Sequence, residues 1–177
     1  MRRLVDAARL EDFLTALARE SRADVRIYLT GGASAVLQGW RPSTVDIDLK
    51  IVPDSDAILR AIPRLKESLE INVELAAPDE FIPELPGWQE RSPLIRREGR
   101  ISFHHYDFSA QALAKLERGH DRDLRDAGEM ARRGLIDPAA LLRYFDQISP
   151  NMYRYPAIDP ASFRRAVEDF VRGHSKL

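Results

Sequence analysis

The stretch "YLTGGASAVLQGWRPSTVDIDLKI", Tyr28 to Ile51, decides how this chain is read. The run "VRIYLT" (25–30) reads as a buried strand, and Gly31-Gly32 ends it. "ASAVLQGW" then reads as a short helix closing near Gly39. Beyond it, "STVDIDLKIV" alternates Val45, Ile47, Leu49 and Ile51 with Asp46, Asp48 and Lys50. Residues i and i+2 of a strand share a face, so Asp46 and Asp48 present two carboxylates side by side while Ile47 and Leu49 fill a core. Two anions held that close repel each other and lose hydration, which calls for a cation between them.

Hard oxygen ligands of this kind suit Mg²⁺, which keeps waters and completes its shell from substrate phosphates. Mn²⁺ accepts the same donor set. Glu74, on the polar side of a neighbouring predicted strand, is a candidate third carboxylate. With it, two metals about 3.5–4 Å apart would be bridged for in-line phosphoryl displacement. The glycines supply the other half of the pattern. They stand where a strand enters a helix, where free N–H groups and the positive end of the helix dipole meet an anion. Glycine lets a phosphate approach the backbone closely, and Ser34 offers a hydroxyl donor. Taken singly, a Gly-Gly turn is most often only a turn, and an Asp-x-Asp pair is most often a solvated strand face. In the order strand, GG-x-S, helix, strand with D-x-D, they are far more specific.

That set, Gly31, Gly32, Ser34, Asp46 and Asp48, resembles the motif of the DNA polymerase β-like nucleotidyltransferase superfamily. The resemblance implies a small mixed sheet flanked by helices that binds Mg-NTP and moves a nucleotidyl group to an acceptor. A second stretch, "AQALAKLERGHDRDLRDAGEMARRGLI", carries Lys115, Arg118, Asp123 and Asp126 as K-x-x-R-x-x-x-x-D-x-x-D. It looks like the C-terminal motif of AbiEii-type nucleotidyltransferase toxins and of a related bacterial and archaeal subgroup of unassigned activity. On that resemblance Lys115 contacts NTP phosphates with Arg118 and Asp123 beside it. Asp126 or Asp123 orients the lysine or acts near the acceptor, and an antitoxin partner is implied. The residues themselves say less. Asp123 and Asp126 are three apart on a predicted helix and share a face, with Lys115 near the end of the preceding helix. The plainer reading is a salt-bridge cluster joining two helices.

Composition bounds the rest. The chain has 177 residues, no cysteine, and a formal net charge of −1 from 27 basic and 28 acidic residues. Disulfides, thiolate zinc and cysteine nucleophiles are therefore excluded. A near-zero net charge excludes a basic coat for nucleic acid, so a polyanion would have to meet a local patch. The first twenty residues are charged and helical in pattern rather than signal-like, and no apolar run has the roughly 20 residues a membrane helix needs. We expect a soluble, cytoplasmic protein with no membrane partner.

The expected class is α+β: a small mixed β-sheet flanked by helices, with a helical C-terminal half. Residues 1–107 would form the core and 108–177 a helical region packed on it. Helices are expected at 3–21, at 54–69 with a kink or break at Pro63, and at 109–118, 121–133, 138–148 and 160–172. "LEINVELAA" reads as a strand with Ile71, Val73 and Leu75 inward, and 92–108 as a hairpin around Glu98-Gly99. The Pro-rich segment between them reads as a long irregular loop.

Other residues draw plainer readings. His104 and His105 point to opposite faces of their strand and cannot share a metal. His120 stands at a helix junction as a cap or an acceptor contact. Trp40 and Trp88 are candidate base stackers, with packing as the alternative. Arg96, Arg97 and Arg100 form one local patch of the kind usually found on a solvated edge. The function these readings favour is a Mg²⁺-dependent nucleotidyltransferase acting on an RNA, protein or small-molecule hydroxyl, in a setting like a toxin–antitoxin pair. The alternative is a catalytically inactive nucleotide- or partner-binding protein on the same fold. The oligomeric state is left open.

Overall fold

The computed structural model of the chain describes residues 3–175. Residues 1–2 and 176–177, the ends of the two expected regions, lie outside it. The chain forms two compact units. The first holds residues 1–77 and 92–106, and the second holds residues 78–91 and 107–177.

The first unit is a five-stranded mixed sheet with three helices. Helix α1 (Ala7–Ala18) begins at Asp6, whose carboxylate caps the Arg9 N–H. Strand β1 (Val25–Thr30) leads into α2 (Gly31–Gln38), and β2 (Asp46–Val52) into α3 (Asp56–Ser68). Strands β3 (Asn72–Leu75), β4 (Leu94–Glu98) and β5 (Ile101–His105) complete the sheet, whose order is β3-β2-β1-β5-β4. β1 pairs antiparallel with β2 and parallel with β5, while β2 pairs parallel with β3.

Alternation along the strands sends one side chain of each pair to a common core. Ile27, Leu29, Ile47, Leu49, Val73 and Phe103 meet Leu10, Phe13, Leu14 and Leu17 of α1 and Ile58, Ala61 and Ile62 of α3 in one apolar cluster. The other face carries Arg26, Tyr28, Lys50, Asp46, Asp48, Ser102 and His104, as the pairings Arg26↔Ser102, Tyr28↔His104 and Tyr28↔Lys50 require. Leu75, expected inward, is exposed at the end of the short edge strand. The expected break at Pro63 is also absent. α3 runs through it unbroken, and the carbonyl that proline leaves without a helical donor belongs to Leu59, an exposed residue.

The second unit is helical. It contains the short α4 (Trp88–Arg91), then α5 (Phe108–Arg118), α6 (Asp121–Arg132), α7 (Leu141–Ile148) and α8 (Pro160–His174), with 3₁₀ turns at Pro78–Glu80, Pro138–Ala140 and Ser149–Arg154. Phe145 and Phe163 meet edge to face at 5.0 Å between α7 and α8. The segment read as an irregular loop of the core groups instead with these helices. Its Ile82, Leu85 and Trp88 are buried, Arg91 forms an ion pair with Asp107 at 2.8 Å, and the Tyr155 hydroxyl donates to the Asp79 carbonyl at 2.7 Å. Trp88 is therefore packing, and has no exposed ring on which to stack a base. Among the described residues no helix is long and apolar enough to cross a membrane.

Candidate active site

The glycine turn lies against one of the two carboxylates. Gly31 opens α2 with φ 59°, in the left-handed region where a side chain is strained. A Cβ built there would lie 3.0 Å from Asp48 Oδ2, so the Asp48 carboxylate rests against the turn itself. The register agrees, pairing Asp48 with Thr30, the N-cap of α2. Gly32 is required for a different reason. A Cβ there would fall 2.0 Å from Thr44 Oγ1 and 2.7 Å from Thr44 Cβ. The Thr44 hydroxyl in turn donates to the Asp46 carbonyl at 3.0 Å, which ties the turn to the start of β2. Gly32→Ala is accordingly expected to destabilise the protein by about 1–3 kcal/mol through overpacking against Thr44, read as a lower midpoint in urea unfolding.

Asp46 and Asp48 share a half-buried face, as their spacing requires. Asn72 lies opposite Asp46, and Glu74 opposite Asp48. The Asn72 amide donates to Asp46 Oδ1 at 2.6 Å and to Glu74 Oε1 at 3.0 Å, so one neutral side chain spans the two acids. Asn72 was not among the residues expected in the site. The signal for it was its place two before Glu74 in an alternating strand. Among the described residues no group of three or more His, Cys, Asp or Glu side chains converges as a metal cage. The donor set is instead two aspartates on one strand face beside a glycine turn. It fits Mg²⁺, which takes one or two carboxylates and fills its remaining positions from water and phosphate.

Ser34 sits away from that face. It is fully buried, its hydroxyl donates to the Leu29 carbonyl at 3.0 Å, and its oxygen lies 3.0 Å from His105 Nδ1. His105 Nε2 is 3.1 Å from the Gln38 amide nitrogen. These roles fit a neutral imidazole with its proton on Nδ1, donating to Ser34 and accepting from Gln38. The hydroxyl expected to meet phosphate is thus committed to joining α2 to β1 and β5. Burial lowers the His105 pKa to about 4.

Between about pH 6.5 and pH 4 the unfolded chain binds a proton at His105 that the folded chain refuses. This contribution is therefore intact above pH 6.5 and is lost as pH falls through that window. The loss amounts to about 2.5 kcal/mol by about pH 4.5. Unfolding free energies from urea titrations at about pH 7 and about pH 4.5 should differ more in the wild type than in His105→Gln by that amount.

The second motif does assemble, within the helical unit. Lys115 Nζ is 2.7 Å from Asp126 and 3.7 Å from Asp123, and Arg118 is 2.8 Å from Asp123. The Lys115 and Asp126 side chains are only 5% and 4% exposed. Two cations face two anions, so the cluster is electrically balanced and joins α5 to α6. The ammonium expected at NTP phosphates is enclosed by carboxylates of its own chain. His120, the N-cap of α6, makes no side-chain capping bond.

The expected site residues are therefore divided. Gly31, Gly32, Ser34, Asp46, Asp48 and Glu74 belong to the first unit, and Lys115, Arg118, Asp123 and Asp126 to the second. No curated protein and no solved structure matches the chain. A family model described as a nucleotidyltransferase of unknown function (DUF6036) matches residues 8–171, which takes in the glycine turn, the carboxylate strand and the helical unit together. The chain belongs to that nucleotidyltransferase family.

Proposed function

We propose that the chain is a Mg²⁺-dependent nucleotidyltransferase whose reaction centre is the face shared by Asp46, Asp48 and the Gly31-Gly32 turn. The observation that carries the reading is the Asp48 carboxylate lying against Gly31, at the point where a helix begins. An anion-binding backbone and a cation-binding carboxylate pair are thereby neighbours, which is what a triphosphate with its metal requires. Membership of a nucleotidyltransferase family supports it. The finer resemblance, to the DNA polymerase β-like superfamily and the AbiEii-type toxins with an antitoxin partner, belongs to this proposal.

Asp46 and Asp48 would hold Mg²⁺, or Mn²⁺ in its place. The ion would supply charge neutralisation on the triphosphate and lower the pKa of the attacking hydroxyl. The chain's own groups do the positioning. The first N–H groups of α2 receive phosphate oxygens, with no side chain at Gly31 to come between them and Asp48. Asn72 fixes the Asp46 carboxylate. Glu74, exposed and hydrogen-bonded to Asn72, would orient an acceptor hydroxyl or take its proton. Most of the rate would come from placement and electrostatics. In this reading Ser34 and the Lys115 cluster each hold together the unit they belong to and do not touch phosphate.

The test is a transfer assay. Each α-³²P-labelled NTP is incubated with the protein and Mg²⁺, alone, with total RNA, or with protein extract. Label passing into RNA, a protein band or a small product supports the transferase and names the acceptor class. NTP binding seen by calorimetry, with no transfer to any acceptor, would overturn it in favour of a nucleotide-binding protein on the same fold.

A further inference from the structure

At the end of the sheet away from the carboxylates lies a recess of about 500 Å³ lined by Arg26, Arg97, Arg100, Asp24, Ser102 and Val52 among others. Val52 ends the strand that Asp46 begins, which puts the recess about 20 Å from that carboxylate along β2. The three guanidinium groups meet one carboxylate. Arg100 forms an ion pair with Asp24 at 3.0 Å, whereas Arg26 and Arg97 have no ion pair among the described residues.

The register explains why these two stand together. Arg26 of β1 and Arg97 of β4 both pair with Ser102 of β5, one from either side, so both leave the same sheet face. Their Cα atoms are two strand spacings apart, about 10 Å, a span that two arginine side chains close onto a single tetrahedral anion. Ser102 Oγ lies 3.3 Å from His104 Nε2, and His104 Nδ1 lies 3.2 Å from the Ser92 carbonyl. Nδ1–H therefore donates to Ser92, and Nε2 accepts from Ser102. Burial lowers the His104 pKa first, the Ser92 contact opposes it, and Arg26 and Arg97 lower it further, so both cations act on this one spot. Two unpaired like charges side by side are unfavourable alone and favourable around an anion, and the guanidinium fork matches phosphate oxygens.

We propose that this recess is a phosphate-binding site, separate from the carboxylate pair, in which Arg26 and Arg97 grip one phosphate group from the two sides of Ser102. The phosphate of a free phosphorylated small molecule and that of a nucleic-acid backbone present the same chemistry to it. The inference does not rest on nucleotidyl transfer.

The experiment is NMR on the full chain, with inorganic phosphate titrated against sodium chloride at matched ionic strength. Phosphate should shift the signals of Arg26, Ser102 and His104 saturably, leave Gly31 and Gly32 unmoved at the same concentrations, and raise the His104 pKa. In Arg26→Gln/Arg97→Gln, two exposed positions, the apparent affinity should fall at least about tenfold with the sheet spectrum unchanged. A single-stranded oligoribonucleotide saturating the same signals at about a hundredth of the phosphate concentration would identify a nucleic-acid backbone as the source. Saturation at concentrations like those of phosphate would identify a small phosphate ester. Shifts that follow ionic strength alone, or that survive in the double variant, would overturn the site.

Discussion

Asp48→Asn should lower nucleotidyl transfer by about a thousandfold while leaving the fold intact or slightly more stable. The loss follows from what a carboxylate does beside a triphosphate. A metal held by two aspartates contributes several kcal/mol of charge stabilisation, and about 4 kcal/mol corresponds to three decades of rate. The gain in stability comes from the register. Asp48 shares its face with Asp46 and stands opposite Glu74, so removing its charge relieves two like-charge contacts. Opposite signs on activity and stability mark a group kept for function rather than for folding. Glu74→Gln should cost less, under about tenfold if the side chain only orients the acceptor and about a hundredfold if it takes the proton, because it is exposed and bonded to Asn72 alone among the described residues. The comparison needs label-transfer rates and melting temperatures for both variants. An Asp48→Asn protein that transfers at the wild-type rate would remove the carboxylate pair from the mechanism.

Lys115→Ala should produce the largest loss of stability, about 3–5 kcal/mol, or roughly a 10 °C fall in Tm. The reason is burial. Without the ammonium, Asp126 has lost its partner at 2.7 Å, and Asp123 keeps only Arg118. A buried carboxylate that loses its cation keeps its desolvation cost and loses the attraction that offset most of it. The double change Lys115→Met/Asp126→Leu removes both charges and should return to within about 1 kcal/mol of the wild type. If Lys115 were instead a phosphate ligand, Lys115→Ala would keep its Tm and lose NTP affinity. Thermal melts of the wild type, Lys115→Ala and the double variant, with calorimetric NTP titrations, separate the two roles.

How far the sequence carried the fold depended on the range of the interactions. The alternation of Ile47 and Leu49 with Asp46 and Asp48 is local, and it placed the pair correctly on one face of β2. Lys115, Asp123 and Asp126 are close in chain, so helical spacing sufficed to bring them together. What escaped was set by partners far apart in sequence. Ser34 is engaged by His105, Asp46 by Asn72, and Gly32 is confined by Thr44 folding back on it. The patch of Arg96, Arg97 and Arg100 had the same limit. Arg96 is taken by Glu11 and Glu98, while the residue that completes the recess is Arg26, from a strand more than seventy positions earlier in the chain. At Pro63 the expected break did not form, and the Pro-rich segment, irregular as expected, is nonetheless held by buried side chains. Proline removes one donor, and burial of Ile82, Leu85 and Trp88 orders the rest of that segment regardless.

The chain leaves the sheet unit at residue 78, returns at 92 for the β4–β5 hairpin, and leaves again at 107. Neither unit is thus a continuous piece of polypeptide that a single cut would release. A fragment ending at residue 107 would carry Ile82, Leu85 and Trp88 without the helices of their own unit, and one beginning there would lack them. β1 must also wait for β5 before its parallel edge is filled, with the whole of α2, β2, α3 and β3 and the excursion between them. Heat or denaturant should therefore tend to melt both units together, since each unit's contacts are closed by chain that runs through the other.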